Sequence, residues 1–124
     1  MERSAVEGWI AGYERLWRTP GTEQLGELFT DDVSYAASPW SPPVRGLDAL
    51  ARFWEAERVS ADEPFEMRRD VVALDGSTAV LRIAIDYAAT GTRWRDLWII
   101  ELDADGRCRA FEEWPFAPDQ RDGH

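Results

Sequence analysis

Residues 79–102 read AVLRIAIDYAATGTRWRDLWIIEL, and the alternation in this stretch decides the fold. Apolar side chains recur at every second position on both sides of Thr90-Gly91, the period of a strand with one buried face. With those two residues as the turn, Ala89 is expected opposite Thr92, Tyr87 opposite Trp94, Ile85 opposite Asp96 and Ile83 opposite Trp98. Leu81 then opposes Ile100, and Ala79 opposes Leu102. One face collects Ala79, Leu81, Ile83, Ile85, Tyr87, Trp94, Trp98, Ile100 and Leu102, with Asp96 as its single charge. The opposite face is mixed. Val80, Ala84, Leu97 and Ile99 form an apolar strip there among arginines and acids, which predicts a homodimer through the sheet.

Working outward, the same period predicts strands near 65–74, 78–88, 93–103 and 107–115, joined at Asp75-Gly76, Thr90-Gly91 and Asp105-Gly106. A bulge at Asp105-Gly106 would shift the last strand by one, so either Glu112 or Glu113 faces inward. Upstream the period changes to that of a helix. Val6, Trp9, Ile10, Tyr13, Leu16 and Trp17 make one apolar stripe that ends at Thr19-Pro20-Gly21. Thr22 reads as the N-cap of a short helix carrying Leu25, Leu28 and Phe29. Thr30-Asp31-Asp32 is expected to break it before a short strand from Val33 to Ala37. The three prolines between Ser38 and Gly46 argue against regular structure there. A third helix follows from Leu47 or Asp48, burying Leu50, Phe53 and Trp54. Helices first and an antiparallel meander last give an α+β layer fold in a single domain over residues 1–118, with a frayed tail at 119–124.

Composition narrows the chemistry. The 124 residues carry a formal charge of −10, with 44% hydrophobic and 31% charged residues, a globular balance. That charge argues against nucleic acid and anionic membrane surfaces as partners. No apolar run is long enough to span a bilayer and no signal peptide opens the chain, so a cytoplasmic location is expected. All 14 basic residues are arginine, which removes lysine Schiff-base and P-loop chemistry. The lone histidine is His124, and Cys108 is the single cysteine, so metal sites and disulfides are not expected and no cofactor is implied. Seven tryptophans are many for this length, and they suit a cavity for an apolar ligand.

The order of these features carries a resemblance. Leu28-Phe29-Thr30-Asp31-Asp32-Val33 follows the first helix, and a proline loop ends in Arg45-Gly46. Phe53-Trp54 sits on the next helix, and the meander closes through Asp103-Ala104-Asp105-Gly106-Arg107-Cys108 and Glu112-Glu113-Trp114. Over residues 5–117 the chain resembles the nuclear transport factor 2-like superfamily, and within it the SnoaL-like branch. The resemblance implies a cone, a curved antiparallel sheet wrapped around the N-terminal helices, with a pocket at its open end and dimers through the sheet. Relatives include ketosteroid isomerases, epoxide hydrolases, polyketide cyclases, dehydratases and noncatalytic binding modules, so the fold leaves the activity open.

The catalytic versions differ in what they require. The isomerase type pairs a carboxylate base with a Tyr and a protonated acid, parts that Asp96 and Tyr35 can take. The epoxide hydrolase pattern needs an Arg and an Asp two apart on one strand, whereas Arg93 and Arg95 have the opposite parity to Asp96. The dehydratase needs a histidine in the folded body, and the cyclase needs an acid in the pocket. Asp96, with Glu113 or Glu112, is therefore the candidate catalytic set, because a desolvated carboxylate is poised for acid–base work. Its structural alternative is an ion pair with Arg45 or a bond from a tryptophan indole. Tyr35, Trp40, Arg45, Trp54, Trp94 and Trp98 are the candidate ligand-binding residues, with Trp40 as a lid and Arg45 as an anion clamp or a loop anchor. The expected function is binding of an apolar or aromatic metabolite with cofactor-free cyclase- or isomerase-type catalysis, or else a noncatalytic dimeric binding protein.

Overall fold

The apolar stripe at the N-terminus winds into helix α1 (Arg3–Trp17), with Val6, Trp9, Ile10, Tyr13 and Leu16 buried along one side. The molecule is represented by a computed structural model that describes residues 1–123, and His124 lies outside them. A single-turn helix α2 (Leu25–Leu28) follows, with Gln24 rather than Thr22 at its N-cap position and no side-chain cap. Trp9 Nε1 donates to the Leu28 carbonyl at 2.9 Å, which ties α2 to α1 and satisfies a carbonyl that the short helix leaves open.

Two segments depart from expectation. Phe29 belongs to strand β1 (Phe29–Ala36), and Thr30-Asp31-Asp32 lies within that strand instead of breaking a helix. The pairing explains how. β1 runs parallel to the last strand, and its register jumps between Phe29 and Ser34, so the polar residues occupy a bulge. Thr30 Oγ1 donates to Asp32 Oδ1 at 2.9 Å inside it. The proline loop also yields a two-residue strand, β2 (Val44–Arg45), antiparallel to β1 through Ser34–Arg45 and Tyr35–Val44. Prolines at 39, 42 and 43 leave those next two residues free to pair at the sheet edge. Gly46, at φ 87° and ψ 158°, then turns the chain into helix α3 (Leu47–Glu57).

The meander comprises β3 (Glu66–Asp75), β4 (Thr78–Tyr87), β5 (Thr92–Leu102) and β6 (Cys108–Phe116). The sheet order is β2-β1-β6-β5-β4-β3, antiparallel except for β1 against β6. Between β4 and β5 the turn is longer than two residues. Tyr87 pairs with Thr92, Ile85 with Trp94, Ile83 with Asp96 and Leu81 with Trp98. Ala88 to Gly91 form the loop, closed by Gly91 N–H donating to the Tyr87 carbonyl at 2.9 Å. The partners therefore shift by two along β5 from the expected register, and an even shift leaves every side chain on its expected face.

The result is a curved, unclosed sheet with helices on its inner side. Ala79, Leu81, Ile83, Trp98, Ile100, Leu102 and Phe111 meet the α1 stripe, Phe29, Leu50 and Trp54 in one core. Arg58 staples the helices together. Its guanidinium donates to the carbonyls of Leu16, Trp17, Thr19 and Gly21. These are carbonyls at and beyond the α1 C-terminus, where the helix dipole also favours a cation. No helix among the described residues is long and apolar enough to cross a membrane.

Candidate active site

Where the helices stop short of the sheet, the inner face opens into a cavity of about 420 Å³. Tyr13 and Trp17 from α1, Tyr35 from β1 and Phe53 from α3 form one side. Ile85, Trp94, Asp96, Trp98 and Glu113 from the meander form the other, and Phe65, Met67 and Tyr87 continue the apolar wall. Glu57 and Glu63 stand at its margin.

Asp96 is 4% exposed, one of two buried polar residues among those described. Trp98 Nε1 donates to its Oδ2 at 3.1 Å, while Oδ1 has no hydrogen-bond partner. Arg45 does not reach it. The indole is thus the partner that β-strand geometry supplies, because residues two apart on one strand share a face. Glu113 pairs with Trp98 across β5–β6 and lines the same cavity. Its carboxyl is pushed well above the usual range, first by burial and then by the neighbouring Asp96 carboxyl. Two carboxyls so placed cannot both ionise cheaply, and Glu113 keeps its proton to higher pH than an exposed glutamate does.

Above the pair lie two phenols. Tyr13 Oη and Tyr35 Oη are 3.2 Å apart. Burial raises both phenol pKa values strongly, and the Glu113 carboxyl adds to each. Both stay neutral, and since one hydroxyl donates to the other, one proton remains to be offered. Tyr35 is clamped against Phe111 with ring centroids 4.2 Å apart and planes 7° from parallel. Tyr13 packs on Trp98 at 4.6 Å. Such contacts lock ring positions, each worth about 0.5–1.5 kcal/mol. The Trp54 indole N–H faces Tyr35 but reaches no partner with hydrogen-bond geometry.

The structure thus brings together Asp96, Glu113, Tyr35, Trp94 and Trp98. It separates the other candidates. Glu112 points to the outer face, where its carboxylate accepts from Trp114 Nε1. The bulge between Glu101 and Leu102 on the β5–β6 ladder settles this parity. Trp40 is 94% exposed on the proline loop and cannot serve as a lid. The loop turns outward because Ser38 Oγ accepts from the backbone N–H groups of Trp40 and Ser41. Arg45 is exposed on edge strand β2 and does not line the cavity. Trp54 is 1% exposed and packs behind the wall against Tyr13, Trp17 and Phe29. Arg93 and Arg95 lie on the outer face and bind Asp86. Burial pushes the Cys108 thiol up to about 12, which makes it inert. Among the described residues no cluster of His, Cys, Asp or Glu is arranged to hold a metal.

Tyr13 and Tyr87 line the cavity although the sequence pattern does not single them out. Tyr13 keeps strict helical spacing with core residues, so periodicity alone gives it no distinction; its hydroxyl on an otherwise apolar stripe was the available signal.

The curved sheet with helices on its inner side has counterparts among known proteins. The model of the SnoaL-like domain matches residues 9–111. The chain belongs to the SnoaL-like family, within the nuclear transport factor 2-like superfamily. Solved structures share the fold at low identity. A de novo designed protein with a curved β-sheet superposes with a TM-score of 0.69 at 17% identity, covering 92% of this chain and 87% of the other. The epoxide hydrolase/cyclase-like enzyme SalBIII, described in pyran ring formation in the polyether salinomycin, gives a TM-score of 0.69 at 14% identity, covering 89% of each chain. A Kribbella flavida protein described as a candidate ketosteroid isomerase gives 0.64 at 16% identity, covering 98% of this chain and 83% of that one. No curated protein shows significant sequence similarity to it. These matches at low identity show a shared fold and leave function to the side chains in the cavity.

Proposed function

We propose that this SnoaL-like protein binds a small, largely apolar or aromatic metabolite and moves a proton on it without a cofactor. The observation that carries the reading is the Asp96–Glu113 pair, a buried carboxyl with a half-buried one beside it on the wall of an aromatic cavity. Asp96, as carboxylate, accepts a proton from a carbon or hydroxyl of the ligand. Glu113 holds the proton that is delivered to the developing oxygen or to a neighbouring atom. The spare hydroxyl proton of the Tyr13–Tyr35 pair lies in the same neighbourhood and stabilises negative charge on oxygen as it forms. The apolar rings around them lower the local dielectric, which strengthens each of these interactions. Proton abstraction next to a carbonyl, or from a hydroxyl that then closes a ring, uses the same four groups.

Tryptophan fluorescence titrated with steroids, terpenoids and aromatic polyketides tests binding, since Trp17, Trp94 and Trp98 line the cavity. For each ketone that saturates, NMR in D2O follows deuterium uptake at the carbon beside the carbonyl. The reading expects uptake that Asp96→Asn slows by about 10²–10⁴-fold, the usual worth of a positioned base. Saturable binding with no exchange or turnover, unchanged by Asp96→Asn, favours the noncatalytic alternative.

A further inference from the structure

The charges around the cavity do not balance. Asp96 and Glu113 set two carboxyls side by side in the cavity, and neither makes an ion pair with an arginine among the described residues. Buried charges are ordinarily paired, because desolvation is costly. The one cation lining the cavity is already committed. Arg58 donates to four backbone carbonyls and to Glu55, and its side chain is 5% exposed. Arg18, nearby, stacks on Phe65 at 3.7 Å and binds Glu14 and the Phe65 carbonyl. At the margin Glu57 and Glu63 add acid, and Glu57 is close enough to Glu113 to raise its pKa further. One polar atom is left over on the floor, Asp96 Oδ1, buried and without a partner.

We infer that the missing cation is the ligand: the cavity is a site for a protonated amine on an aromatic or aliphatic body, and it rejects carboxylates and phosphates. This rests on the reading of the cavity as a ligand site and adds the charge of what enters. The ammonium meets Asp96 Oδ1, and the rings of Trp94 and Tyr87 that line the cavity offer quadrupoles that attract organic cations.

Three probes of one shape separate charge from burial: 2-naphthylmethylamine, 2-naphthylmethanol and 2-naphthoate, titrated calorimetrically near neutral pH. The inference expects the amine to bind at least about tenfold tighter than the alcohol, the gain of one charge-assisted bond in a dry site, and the carboxylate to show no saturable binding. The Trp98 indole N–H resonance should shift with the amine, because that N–H shares Asp96 with it. Asp96→Asn should bring amine and alcohol within about twofold of each other. If the alcohol binds as tightly as the amine, or the carboxylate binds at all, charge selection is overturned while the ligand cavity stands. If all three fail to bind, the cavity reading falls and this inference with it.

Discussion

At the residue scale the molecule turns on one proton. Glu113 has a folded-state pKa above its ordinary value of 4.5, chiefly because it is buried. The folded chain therefore holds a proton that the unfolded chain releases. That contribution to stability is complete below the unfolded value and is lost as pH rises through the folded one. Urea unfolding between about pH 5 and pH 9 should show stability falling with pH, and Glu113→Gln should flatten the slope. An unchanged slope would mean that Glu113 is not the residue holding the proton. The phenols test the other half of the site. Tyr13→Phe should lower turnover of any substrate found by about 10²–10³-fold, as loss of an oxyanion donor does, with ligand affinity little changed. Asp96 was legible because a charge interrupts an apolar alternation. Tyr13 was not, since nothing in helical spacing separates a core ring from one whose hydroxyl meets a strand residue distant in sequence.

The elements are joined by residues whose roles are local. Gly46 sits at φ 87° and ψ 158°, a region that side chains other than glycine's essentially avoid. Its N–H donates to the Val33 carbonyl at 2.8 Å, so the turn from β2 into α3 is held from both directions. Gly46→Ala should cost about 1–3 kcal/mol in chemical denaturation with little change in far-UV circular dichroism. Arg58→Ala removes the staple at the end of α1 and should cost about 2–3 kcal/mol, since it leaves several carbonyls short of a donor. A melting temperature equal to that of the parent would show that water replaces the guanidinium without penalty. The hairpin between β4 and β5 shows why faces are easier to read than partners. Side-chain alternation reports parity, and a four-residue loop preserves the parity of a two-residue one while shifting every pair. Edge strand β2 was masked by its prolines. Thr30-Asp31-Asp32 looked like a break because a bulge admits polar residues that a regular ladder would not.

For the whole molecule, the outer face of the sheet is the open question of assembly. Leu97 pairs with Trp114 and Val80 with Ile99, and these side chains form an apolar strip beside the ion pairs of Asp86 with Arg68, Arg93 and Arg95. We propose that a second copy covers it, as the alternation of β4 and β5 leads one to expect. Sedimentation should then report a dimer at micromolar concentration, and Leu97→Arg should convert it to a monomer that keeps its fold. A parent chain that sediments as a monomer at high micromolar concentration would remove this interface. The sequence by itself determined the class of fold, the two faces of the meander and the isolation of Asp96, because periodicity and parity are local properties of a chain. Only the tertiary structure decided that Glu113 rather than Glu112 joins Asp96, that Tyr13 and Tyr35 meet above them, and that Trp40, Arg45 and Trp54 stand outside. Those facts depend on a bulge, a loop that turns outward and a helix laid across the sheet, and each is set by contacts between residues far apart in the chain.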